Sequence, residues 1–174
     1  TTSDGRLYYT SGDSLFTSDG TVAGTNFVKK TGEPFIRISN VSLGGNAYFL
    51  TKTGNLQSLW KSNGTSGGTM KLATYQSIIP LLTYGDELYL GINNTTHGNE
   101  LWKLNTSDNL SMLKDINPGP ADGFKGELLI SNDLLFFKAD AGGSGSNLWR
   151  TDGSTAGTVE AVDLEYDDFH AFTD

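Results

Sequence analysis

The stretch SLFTSDGTVAGT at residues 14–25 returns as SLWKSNGTSGGT at 58–69 and as NLWRTDGSTAGT at 147–158. Three near-copies of one segment mean either a repeated piece of architecture or a repeated binding loop. Taking the aromatic of each copy as anchor gives Phe16, Trp60 and Trp149, and the weaker copy ELWKLNTSDNLS adds Trp102. The anchors are 44, 42 and 47 residues apart, a period in the range of propeller blades and some helical arrays. From anchor to closing Thr the spacing is nine residues in the three strong copies. Nine residues beyond Trp102 stands Ser111, so the weak copy is expected to keep the geometry.

Strands fit this period better than helices. Each repeat carries short runs rich in aromatic and β-branched residues, such as RLYYT, NAYFLT, ELYLGI and LLFFKA, bounded by Gly, Asn or Asp. No twelve-residue window shows helical spacing without an interrupting turn cluster. Within the motif, Asp19-Gly20, Asn63-Gly64 and Asp152-Gly153 are turn pairs. The Asx side chain bonds its own backbone and Gly takes positive φ without steric cost. Gly24 is expected to supply the same freedom before the next strand. Thr21, Thr65 and Ser154 can satisfy loop amides with a hydroxyl. The motif thus reads as the loop joining the third and fourth strands of a small sheet.

In SLWKS, Leu59 and Trp60 point to opposite faces of their strand. A two-layer sandwich would expose one of them. A propeller covers both faces of every blade. Phe16, Trp60, Trp102 and Trp149 are then structural wedges between blades. The predicted architecture is all-β: a single domain over 1–174, built as a four-bladed β-propeller of short antiparallel four-stranded sheets. The first repeat lacks a first strand, and the C-terminus ends on an orphan run, DDFHAFTD. Pairing Phe169–Thr173 beside Arg6–Thr10 would complete the first blade and close the ring. The alternative closure is two chains sharing strands.

The motifs HGNELWK at 97–103, TSDGTVAGT, RTDGSTAGT and LKDINPGPADG at 113–123 together resemble the ELWxxDGT tandem repeats. These are hyalin-like repeats of large secreted and surface proteins, mostly bacterial. The likeness covers nearly the whole chain, with departures. The triplet Glu occurs only at Glu100, with Ser14, Ser58 and Asn147 elsewhere, and INPG only at 116–119. The resemblance implies an extracellular or cell-surface, non-enzymatic module excised from a larger protein, and it implies no particular ligand.

Composition narrows the chemistry. The net charge of −8 argues against nucleic acid, which requires a basic face. No apolar run is long enough to insert in a bilayer. No secretory signal opens the chain, so any targeting segment is expected outside it. Cysteine is absent, which removes thiol catalysis and Cys-ligated zinc. The two histidines, His97 and His170, lie in different repeats, and each reads as a surface residue rather than a zinc ligand. GGSGSN at 142–147 reads as a hairpin loop, not a nucleophile elbow or phosphate loop.

Asp163, Glu165, Asp167 and Asp168 cluster in VDLEYDD. They can bind calcium through oxygens, although a solvated acidic loop is the plainer reading. Sequons at Asn40, Asn63, Asn93, Asn94, Asn105 and Asn109 suit an exterior, glycosylated surface. No cofactor is required, and an ion in a central channel is the one candidate. The expectation is a monomeric, non-catalytic adhesion module with a protein or glycan ligand. A purely structural repeat is the alternative, and a carbohydrate-active enzyme comes third.

Overall fold

The computed structural model describes residues 5–143 and 145–162. Among them there is no helix, and all regular structure lies in four antiparallel sheets. The first holds β1 (Leu7–Ser11), β2 (Ser14–Ser18) and β3 (Asn26–Lys30). The second holds β4 (Phe35–Leu43), β5 (Asn46–Thr53), β6 (Leu56–Ser62) and β7 (Met70–Tyr75). The third holds β8 (Ser77–Tyr84), β9 (Glu87–Asn94), β10 (Gly98–Asn105) and β11 (Leu110–Met112). The fourth holds β12 (Phe124–Ser131), β13 (Leu134–Ala139), β14 (Asn147–Thr151) and β15 (Val159–Val162). In every sheet, neighbours in sequence are neighbours in space.

Tight hairpins make this meander possible. Two-residue turns that follow the strand twist need positive φ at both central residues. Gly44-Gly45 meets the demand with φ of 57° and 75°, and Asn132-Asp133 meets it with 48° and 60°. Asn and Asp are the non-glycine residues that tolerate this region best.

Contacts divide the chain into two compact units. One is Thr1–Leu90 with Leu104–Leu110, and the other is Gly91–Lys103 with Ser111–Asp174. In the first unit, Tyr8, Leu15 and Val28 of the first sheet pack with Ala47, Phe49 and Trp60 of the second, and Phe35 joins their edge. Phe49 and Trp60 stack at 6.3 Å. Ala47, Tyr48, Phe49, Leu50 and Thr51 are buried in unbroken succession along β5, and so are Leu88 through Ile92 along β9. Successive strand residues face opposite ways, so both faces of these strands are covered. The pair Leu59 and Trp60 shows the same, at 0% and 7% exposure. Truncating a ring such as Phe49 to Ala would cost about 3–5 kcal/mol.

Where the last two strands of the first, second and fourth sheets pair, one irregularity recurs beside the anchor. Register shifts lie between Leu15 and Phe16, Leu59 and Trp60, and Leu148 and Trp149. In these three sheets the last strand carries one extra residue there, Val28 in the first, Leu72 in the second and Ala161 in the fourth. Such a bulge re-aims the residues that follow it. After Val28 the re-aimed residue is Lys29.

Candidate functional site

The motif loops hold themselves together by one circuit of hydrogen bonds. In the first, Asp19 Oδ1 accepts from the Thr21 backbone N–H at 2.9 Å and from the Thr21 hydroxyl at 2.8 Å. Thr21 Oγ1 accepts from Gly24 N at 2.9 Å, and the Thr25 hydroxyl donates to Thr21 O at 2.6 Å. Ser18 Oγ accepts from Gly20 N and meets Thr25 Oγ1 at 2.8 Å. The second loop repeats the circuit through Ser62, Asn63, Thr65, Gly68 and Thr69. The loop between β14 and β15 repeats it through Thr151, Asp152, Ser154, Gly157 and Thr158. Gly20, Gly64 and Gly153 adopt φ of 93°, 86° and 90°.

The second glycine of each motif has a different reason from the one expected. Gly24 does not take a positive φ. A Cβ on Gly24, Gly68 or Gly157 would overlap the side chain of Asp19, Asn63 or Asp152. The motif needs glycine there for space rather than for backbone freedom. The circuit also holds the Asp19 and Asp152 carboxyls below their ordinary range. For Asp19 the main cause is the Thr21 backbone N–H, and for Asp152 it is the Ser154 hydroxyl. The apex of the first loop stands in solvent, where Val22 is 96% exposed.

A lysine from the preceding repeat seats two of these loops. Lys29 Nζ donates to Ser66 O at 3.2 Å and Thr69 O at 2.7 Å. Lys114 Nζ donates to Thr158 O at 2.7 Å and lies 5.5 Å from the centre of the Trp149 ring. The residue after the anchor adds a second clasp. Lys61 pairs with Asp108, and Lys103 Nζ donates to Gly153 O at 2.7 Å.

Each repeat-motif residue can now be placed. Phe16 is half-buried in β2, 5.1 Å from the Tyr9 ring and 5.6 Å from Phe27. Trp60 Nε1 donates to Thr51 Oγ1 at 2.9 Å, and Thr51 donates to Glu33, which also pairs with Lys71. Burial alone would raise the Glu33 pKa, yet Lys71 and Thr51 together hold it below the ordinary value. Trp102 is half-buried in β10 and Trp149 is buried in β14. Asp163, Glu165, Asp167, Asp168 and His170 lie outside the described residues. His97 sits in a turn, its Nδ1 2.9 Å from Asp115 Oδ2. Among the described residues no group of three or more His, Asp or Glu side chains could hold a metal ion.

Two features escaped the sequence reading. The first is Glu100, fully buried, whose Oε1 accepts from Asn117 N at 3.2 Å. Its Oε2 has no hydrogen-bond partner among the described residues. Gly123 packs against its carboxyl, where a Cβ would overlap it. Burial pushes its pKa up to about 7, with the Asp115 charge adding to the effect against three backbone N–H donors. The second is a cleft of about 310 Å³ lined by Arg6, Thr17, Asp19, Gly24, Asn26 and Gly64. It brings Thr17, Asp19 and Gly24 of the first motif and Gly64 of the second into one site. The signal lay one residue after each anchor: Lys61, Lys103 and Arg150 are long, and Thr17 is short.

No protein-family profile and no curated protein matches the sequence. Among solved structures the chain is similar to TolB from Acinetobacter baumannii, a β-propeller. The TM-score is 0.50 and the identity 11%, over 91% of this chain and 42% of that one. The fold is β-propeller-like. A second likeness, to the AtxE2 isopeptidase in its apo form, has a TM-score of 0.46 and 16% identity over 79% of this chain and 21% of that one, and carries no argument. The chain spans less than half the length of either structure.

Proposed function

We propose that this chain is a non-catalytic binding module of an extracellular or cell-surface protein, built from ELWxxDGT-type repeats and meeting a glycan or protein ligand at its motif loops. One observation carries the reading. The Asp, Asn, Ser and Thr groups of three motif loops fix their own loops by internal hydrogen bonds, while residues 22–23, 66–67 and 155–156 are exposed. Stems fixed in this way present short variable segments, which is how rigid scaffolds carry recognition loops. The reading takes the module as a monomer that requires no cofactor, with an ion in a central channel as the one candidate. The test is retention of the purified chain on a glycan array and on immobilised matrix proteins. Binding that is lost when residues 22–23 and 66–67 are exchanged supports the proposal. Turnover of a polysaccharide by the chain would sink it.

The same reading takes the four sheets as blades of a closed ring. Its support is the first sheet, which has three strands where the others have four, with β1 at an edge. Residues 169–173 are the proposed fourth strand, from the same chain or from a second one. Deleting residues 165–174 should then lower the melting temperature by at least 5 °C. The alternative, a purely structural repeat in a longer array, draws on the lysine clasps between consecutive repeats, and failure to bind any arrayed ligand would favour it.

A further inference from the structure

The first repeat differs from the second and third in the residue that follows its anchor. Lys61 and Lys103 follow their anchors and reach the loop of the next repeat. Thr17 follows Phe16 and is too short to do so. Its methyl lies 3.7 Å from where a Cβ on Gly64 would stand, and an Arg6 guanidinium nitrogen lies 2.6 Å from the same point. No lysine chain crosses here: the Arg6 guanidinium and the Tyr8 hydroxyl reach Gly64 instead, and the cleft lies beside them between the first and second motif loops.

We propose that this cleft is a subsite for one residue of a neutral saccharide, which rests on the binding-module reading and names its ligand class. The lining suits a vicinal diol. The Asp19 carboxylate accepts from sugar hydroxyls, the Asn26 amide and Arg6 guanidinium donate to them, and Thr17 does either. The Asp19 Oδ1 atom is held by Thr21, so the carboxylate is already oriented before a ligand arrives. A volume near 310 Å³ is at the small end for ligand pockets, which fits a single ring rather than an extended chain. The net charge of −8 and the aspartate in the lining disfavour an acidic sugar.

The second loop supplies an internal control. Asn63 supports the same hydrogen-bond circuit as Asp19, so Asp19→Asn should preserve the loop and remove only the charged acceptor. The experiment titrates labelled protein with the methyl glycosides of glucose, mannose and galactose, and with methyl glucuronide and glycine as ionic probes, and follows amide shifts. The expected result is saturable movement of the Gly20, Gly24 and Gly64 amides with a neutral glycoside. Asp19→Asn should weaken it by about tenfold or more at unchanged melting temperature, and Asn26→Ala should weaken it as well. No saturable shift with any neutral glycoside, a response to glucuronide or glycine alone, or full affinity in Asp19→Asn would overturn the proposal. A glycan-array signal that survives Asp19→Asn overturns the cleft and leaves the binding module standing. Silence of the wild type on glycans and matrix proteins alike overturns that reading itself.

Discussion

The second and third motif loops begin alike and end differently. Asn63 and Asn105 both stand three residues after a tryptophan, and each accepts from the backbone N–H two residues on, at 3.1 and 3.0 Å. Beyond that they part. The second loop runs to Thr69 and closes through Thr65, Gly68 and Thr69. The third closes within four residues, where Asn105 Oδ1 also takes Asn109 N and Asp108 adopts a φ of 64°. Their seats differ too. Lys29 holds the second loop by two neutral carbonyls, whereas Lys61 holds the third through the Asp108 carboxylate. The Asx turn is therefore the irreducible part of the motif. The Gly-Thr ending is an extension, and in the two places where it meets a lysine the seat is a pair of loop carbonyls or a single one.

Breaking the longer loop should give the largest effect. In Gly68→Ala the new methyl must displace Asn63 and open the whole circuit, at about 3 kcal/mol by urea denaturation. Ser107→Ala in the shorter loop leaves the turn acceptor in place and should stay within about 0.5 kcal/mol. Equal losses would mean that the circuit is not what stabilises the motif.

The next effect separates the third-strand residues that precede the anchors. Ser58 meets Thr74 Oγ1 at 3.0 Å, a neutral pair, while its counterpart Glu100 is a buried acid. The Glu100 pKa is raised from 4.5 to about 7 in the fold. Its contribution is complete below about pH 4.5 and is lost as pH rises toward 7, because ionising it inside the fold is unfavourable. The wild type should lose about 2–3 kcal/mol from this group between pH 4.5 and 8, and Glu100→Gln should flatten that part of the profile.

The seats themselves come third. Lys29→Ala and Lys61→Ala should each cost about 1 kcal/mol in dilute buffer. Salt at 1 M shortens the screening length to about 3 Å. The Lys61 penalty should shrink there because its partner is a half-buried charge that salt screens in part, and the Lys29 penalty should persist because its partners are carbonyl dipoles.

Much of this was legible in the residues. Runs such as NAYFLT and ELYLGI fall in β5 and β9, and the Asx-Gly pairs fall in the turns that they specify. The reading failed where the cause lies in another repeat or in three-dimensional space. Nine residues separate Trp102 from Ser111, as from Trp60 to Thr69, yet Ser111 lies inside β11 because the third loop is shorter. Gly24 was read as a conformational glycine when a carboxylate across the loop decides it. The Glu100 cradle is closed by backbone groups more than fifteen residues away, and no local period announces that. The cleft appears only when position 17 is compared with 61 and 103, and the comparison has force only once those lysines are seen to reach the next loop.

The smallest effect tests whether the Asx position is chosen for shape or for charge. Asp19 and Asp152 use an anion where Asn63 uses an amide, and all three make the same bonds. If shape governs, Asn63→Asp should move the melting temperature at pH 7 by less than about 2 °C. Its new carboxyl would be held below the ordinary value of 3.8, as Asp19 and Asp152 are, by the hydroxyl and N–H of the residue two positions on. A carboxyl lowered in the fold contributes above the unfolded pKa, and the contribution disappears as pH falls through the folded one. The variant should therefore match the wild type near neutrality and fall below it under pH 4, in a thermal series from pH 7 to 2.5. A large change already at pH 7 would show that the second loop depends on being uncharged, which would point to a partner at its apex that rejects an anion.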